Sequence, residues 1–153
     1  MDLTAQFWQN YQTDHPDETT PQEHYVAERF GDNPQLADEL VALIVQGVKT
    51  ATCSALWEWQ AEGSAIPTVG LKTIVLNSRD EPVCIIETTA VAIRPYNAVD
   101  ADFAYAEGEG DRSLANWRAG HWRYFSRVLP KINREPTPDM PLVCEHFRLI
   151  YPK

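Results

Sequence analysis

The stretch GVKTATCSALW, residues 47–57, decides how the chain reads on either side of it. Upstream, Asn33 and Pro34 can cap and open a helix, because Asn accepts an N-terminal amide and Pro gives up a donor that has no helical partner there. Leu36, Leu40, Leu43 and Ile44 then share one face, and Gly47 offers the conformational freedom that ends the helix. Beyond it, Lys49 stands among Thr50, Thr52 and Ser54, with β-branched residues that fit a strand. An ammonium beside several hydroxyls can hold an anion, or prime an oxygen nucleophile if its pKa falls. It can equally be a lysine satisfying a helix C-terminus.

Downstream the period changes from helical to alternating. KTIVLN, SRDEP and VCIIETTAVAI, residues 72–93, read as a β-hairpin with a polar turn, and MPLVCEHFRLIY, 140–151, as a further strand. In the long strand Ile85, Glu87, Thr89, Val91 and Ile93 fall on one face; in the last strand Val143, Glu145, Phe147 and Leu149 do. Glu87 and Glu145 thus sit where alternation places apolar side chains. Either they face inward and need cationic partners, or the opposite face is the buried one and they are solvated.

Residues 107–117, EGEGDRSLANW, place Gly108 and Gly110 before a helix that Asp111 or Ser113 caps, running to about Leu129. Free backbone amides and Arg112 there can bind an anion, or the segment is a glycine turn with a capped helix. On that helix Leu114, Trp117 and His121 share a side, so His121 is expected to pack against Trp117, with a lesser candidacy as a base. Leu3, Phe7, Trp8 and Tyr11 give the N-terminus a helical face, whereas residues 24–30 fit a strand or a helix equally.

At 153 residues, with 44% hydrophobic and 23% charged residues, the chain reads as one soluble domain, 1–153, with 1–32 as an N-terminal helical extension. Nothing resembles a secretory signal or a membrane span, so the cytoplasm is the expected compartment. Three widely spaced cysteines lack metal-site spacing, and no metal or cofactor is expected; Cys53 is a minor candidate nucleophile. A net charge of −9 argues against sequence-independent binding of long nucleic acids, although Arg112, Arg118, Arg123, Arg127, Lys131 and Arg134 can make a local basic face.

Residues 47–57, 83–91, 107–127 and 140–151, in that order and spacing, resemble the ASCH family, which is related to the RNA-binding PUA domain. The resemblance implies an α+β fold: a PUA-like β-barrel with flanking helices. Gly47, Lys49 and Thr52 fill the family pattern Gly-x-Lys-x-x-Thr. In small ASCH amidohydrolases acting on N4-acetylcytidine, the lysine, the threonine and a strand glutamate are catalytic. By resemblance Lys49 would be the base, Thr52 the nucleophile and Glu87 the acid. Ser54, Arg112, Ser126 and Glu145 are the candidate substrate-binding residues. Other relatives are ribonucleases, a role that would recruit Lys49, Arg112 and Ser126 around a phosphate. A third reading is a nucleotide or small-ligand binding module without turnover. The expected partners are thus RNA or a nucleoside-like ligand, with no membrane. The expected geometry puts Lys49 Nζ near Glu87 or Glu145, in a cleft also lined by Arg112.

Overall fold

Alternating apolar residues build the sheet, and their two faces collect different helices. In the computed structural model, which describes residues 2–152, β3 (Lys72–Leu76) and β4 (Pro82–Pro95) form the expected hairpin. Ile74 and Ile85 point to one side, where α1 (Leu3–Asp14) lays Trp8 and Tyr11 against them together with Ile150. Val75, Cys84, Ile86 and Phe147 point to the other side, where α2 (Pro34–Val45) brings Leu40, Val41 and Ile44. Asn33 caps α2 through its side chain at Leu36 N, and Gly47 follows with a φ of 78°.

The sheet has five strands in the order β1-β3-β4-β5-β2, with β1 (Tyr25–Arg29), β2 (Ala51–Ala55) and β5 (Pro141–Tyr151). Residues 24–30, ambiguous by pattern, are therefore mostly a strand, running parallel to β3. The other neighbours pair antiparallel. The fold is α+β, and the sheet is a curled half-barrel: β1 and β2 are both edges, and among the described residues no ladder joins them. A third cluster closes one end of it. Trp117, Phe125 and Val128 of α5 (Leu114–Val128) pack with Phe103 and Ala104 of α4 (Ala101–Glu107) on Ala51, Ala55, Leu142 and Cys144. The strand expected beyond Gly47 stops at Ala55, because α3 (Leu56–Glu62) begins at once; α3 and α4 are too short for their periodicity to mark them in the sequence. Among the described residues no helix is long and apolar enough to cross a membrane.

One irregularity matters for the site. In β4, Thr88 opposes Phe147 and Ala90 opposes His146, so Thr89 is an extra residue bulged out of the ladder. Thr88 and Val91 consequently share a face with Phe147 and Glu145. Simple alternation, which grouped Glu87 with Val91, is broken between them. Glu87 is left on the α1 side of the sheet, opposite Lys72 and Arg148 in the neighbouring strands.

Candidate functional site

Residues from both edges of the half-barrel, Glu28 of β1 and Thr52 of β2, line one cavity of about 420 Å³, so it occupies the unclosed seam. The α2 side contributes Leu36 and Leu40, and α5 contributes Asn116, Trp117, His121, Arg123, Tyr124 and Arg127. Across the seam Arg127 makes a two-toothed contact with Asp32, at 3.0 and 3.2 Å, tying α5 to the loop between β1 and α2.

Lys49 lies on the cavity floor and is 1% exposed. Its backbone is fixed from two directions. Its amide and that of Val48 donate to Leu43 O at the end of α2, while Thr50 N donates to Ala106 O of α4 at 2.8 Å. The ammonium therefore points under α4. It donates to Glu107 Oε1 at 2.8 Å, Glu109 Oε2 at 3.2 Å and Ala51 O at 2.8 Å. Burial by itself would lower its pKa, but Glu107 and Glu109 outweigh burial and hold it above the ordinary lysine value. An ammonium has three protons, and all three are committed. Lys49 is thus held as a buried ammonium whose three protons are all engaged by neighbouring oxygens.

Glu107, the last residue of α4, is buried and saturated in turn. Its second oxygen accepts from Trp117 Nε1 at 2.7 Å and faces His121 Nε2 at 3.2 Å. Desolvation opposes its ionisation, yet Lys49 and His121 hold it well below the usual carboxylate range. His121 stacks on Trp117 with centroids 4.2 Å apart, as expected, and its Nδ1 lies 2.9 Å from Trp117 O. Burial works to lower its pKa too, and Glu107 more than compensates, raising it.

On the cavity face of the sheet, Thr52 of β2 stands directly opposite Glu145 of β5. Glu145 is pushed up to about 7, first by burial and then by the nearby charge of Glu28. Next along β2, Ser54 also lines the cavity, its hydroxyl accepting from Trp59 Nε1 at 2.8 Å. Of the expected site residues, the fold thus assembles Lys49, Thr52, Ser54 and Glu145.

Three others lie elsewhere. Glu87, on the far side of the bulge, is paired with Arg148 at 2.6 Å and contributes nothing to the cavity lining. Arg112 is a fastener: its guanidinium lies 3.5 Å over the Tyr105 ring and donates to Tyr105 O and Val48 O. Those bonds tie the end of α4 to the segment before β2 and leave Arg112 outside the cavity. Ser126 is exposed and does not line it either, because α5 turns a different face to the seam. The partners of Lys49 are Glu107 and Glu109 rather than Glu87 or Glu145. The residue most conspicuously missed was Glu107. It opens the 107–117 stretch, but its glycines drew the reading toward backbone amides.

A model of the ASCH domain matches residues 26–151. No curated protein matches the chain. Among solved structures, an ASCH domain from Lactobacillus crispatus is similar, with a TM-score of 0.88 and 34% identity, over 97% of this chain and 94% of that one. A protein from Enterococcus faecalis V583 is similar at a TM-score of 0.85 and 37% identity, over 95% of this chain and 86% of that one. Matched in sequence across most of its length and in fold across nearly all of it, this chain belongs to the ASCH domain family.

Proposed function

We propose that the seam cavity takes a nucleoside-sized ligand and hydrolyses an exocyclic amide on it, as on an N-acylated cytidine-like base. The observation that carries this reading is the Thr52–Glu145 pair: cross-strand neighbours in register that both line the cavity, with the Glu145 carboxyl, which bonds the Thr88 hydroxyl, pushed up to about 7. A group near neutral pKa can both take and return a proton at working pH, which a normal glutamate does poorly. A volume of about 420 Å³ suits a ligand of this size. Phe30, Trp59 and Tyr124 supply apolar and aromatic lining on which a base can rest.

In this mechanism Thr52 Oγ attacks the acyl carbonyl while the Glu145 carboxylate takes its proton. Collapse of the tetrahedral intermediate breaks the carbon–nitrogen bond, and Glu145 returns the proton to the leaving amine. Water, deprotonated by Glu145, then attacks the acyl carbon; the bond to Thr52 Oγ breaks, Glu145 returns the proton to that oxygen, and the carboxylic acid leaves. Lys49 performs no proton transfer. It is a positioning residue that fixes the start of β2, and its Glu107 and Glu109 partners hold it there.

Hydrolysis of N4-acetylcytidine, followed by release of acetate, tests the reading. Thr52→Ala and Glu145→Gln should each lose at least about 100-fold in kcat with the fold intact. Undiminished turnover in Thr52→Ala would remove the threonine from the chemistry, and a wild-type protein inert on every N-acylated nucleoside would remove the reaction.

The cavity mouth supports a second reading, in which the ligand carries phosphate. Arg123, exposed at the rim, has no ion-pair partner among the described residues, and Arg29 and Arg127 stand beside the same opening. Tighter binding of a nucleoside monophosphate than of its nucleoside, lost in Arg123→Ala, would favour it.

A further inference from the structure

Cys53, Glu107 and His121 come from β2, the end of α4 and the middle of α5, and all three line the cavity. We propose that they form a binding site for a divalent transition-metal ion, zinc by the chemistry of the donors. One thiol, one carboxylate oxygen and one imidazole nitrogen lie within 4.8 Å of one another. Zinc takes sulfur at about 2.3 Å and nitrogen or oxygen at about 2.0–2.2 Å, so tetrahedral ligands sit about 3.3–3.7 Å apart. Glu107 Oε2 and His121 Nε2, 3.2 Å apart, already have nearly that spacing, and the Cys53 sulfur lies within 4.8 Å of both residues' ligand atoms.

The surroundings are those of a ligand set as well. His121 Nδ1 sits 2.9 Å from the Trp117 carbonyl, which accepts its proton and directs Nε2, the other ring nitrogen, at Glu107. A hydrogen bond of this kind orients metal-ligating histidines and sets their tautomer. The Trp117 indole donates to the same carboxylate oxygen and fixes its position. Lys49 does not compete for that atom, because it occupies the other oxygen, Oε1.

Three protein ligands that all line the cavity would leave a fourth position for water or a ligand. The proposal is independent of the hydrolytic reading, since neither Thr52 nor Glu145 is a ligand.

Untagged, chelator-treated wild-type protein titrated with Co2+ tests it. One equivalent should bind with a thiolate-to-cobalt charge-transfer band in the near ultraviolet, and Zn2+ should displace it. Cys53→Ala should abolish the band, and His121→Ala should weaken binding at least about tenfold; Cys84→Ala, whose thiol is buried under α2, should change neither. Because the Cys53 and His121 variants remove buried groups, a readout on the wild type is paired with them. Zn2+ should slow alkylation of Cys53 by iodoacetamide while leaving Cys84 unaffected. A band that survives Cys53→Ala, binding without any thiolate band, or alkylation of Cys53 indifferent to Zn2+ would each overturn the site.

Discussion

Lys49 shows why one buried charge here has to be read through its partners. Taking an ammonium out of water is expensive, and only close carboxylates recover the cost. Removing it takes away the cation that Glu109 pairs with and leaves the buried Glu107 with only His121 and Trp117 as partners. Lys49→Ala should therefore destabilise by about 3–5 kcal/mol in urea denaturation, and adding Glu107→Gln to that variant should restore part of the loss. If Lys49→Ala costs no more than an exposed lysine would, the ammonium is not holding the site together. Glu145 has the opposite character. Its pKa is raised to about 7, so the folded state holds a proton that the unfolded chain has lost. Stability should fall as pH rises from about 4.5 towards 7. His121, also raised, acts in the same sense: its contribution is complete below its unfolded value of about 6.5 and fades as pH climbs through the folded one. Thermal melts should thus peak on the acid side of neutrality. Glu145→Gln should gain about 1–2 kcal/mol at pH 8, a figure discounted for partial exposure, and should flatten part of the slope. A wild type more stable at pH 8 than at pH 5.5 would contradict this.

Between elements, the site depends on how closely α4 meets the start of β2. Gly108 follows α4 with φ 74°, and a Cβ there would stand 2.7 Å from Val48 O and 3.0 Å from Lys49 Cα. Neither neighbour is a flexible side-chain end. Gly108→Ala should cost about 1–3 kcal/mol and displace the Lys49 segment, with any cavity binding reduced alongside stability. Arg112 fastens the same junction through Val48 O and Tyr105 O, so Arg112→Ala should loosen it far more than a surface arginine change would. Hydrogen exchange of the Thr50 amide, bonded to Ala106 O, reports on both variants. The β4 bulge is the other decisive piece. It turns Glu87 toward α1 and Arg148 while Val91, beyond it, shares the cavity face with Glu145.

At the scale of the whole molecule, an acidic body with charge −9 surrounds a seam whose mouth carries arginines. Long-range attraction for polyanions is therefore weak, and only a ligand that reaches the opening gains from Arg123. Binding of a neutral nucleoside should change little between about 50 and about 200 mM salt, whereas RNA binding should weaken steeply as each phosphate contact releases counterions. Nearly salt-independent RNA binding would mean that contacts other than those arginines dominate. The open edges of the half-barrel make the cavity possible, since a closed ladder between β1 and β2 would fill the seam with backbone.

Local pattern was enough for much of the architecture. The period of α2, its Asn33 cap, the β3–β4 alternation and the family motif at Gly47, Lys49 and Thr52 are short-range properties, and they led to an α+β ASCH domain. It also put Lys49, Thr52, Ser54 and Glu145 on the list of site residues, and the fold gathers them around one cavity. Tertiary structure alone decided which acid meets which base. Lys49 pairs with carboxylates more than fifty residues away because α4 ends above it. Glu87 faces away because a single bulged residue resets the strand's alternation. The physical reason is the same in both cases. Periodicity fixes the direction of a side chain relative to its own element, whereas its electrostatic partners are set by how separate elements pack.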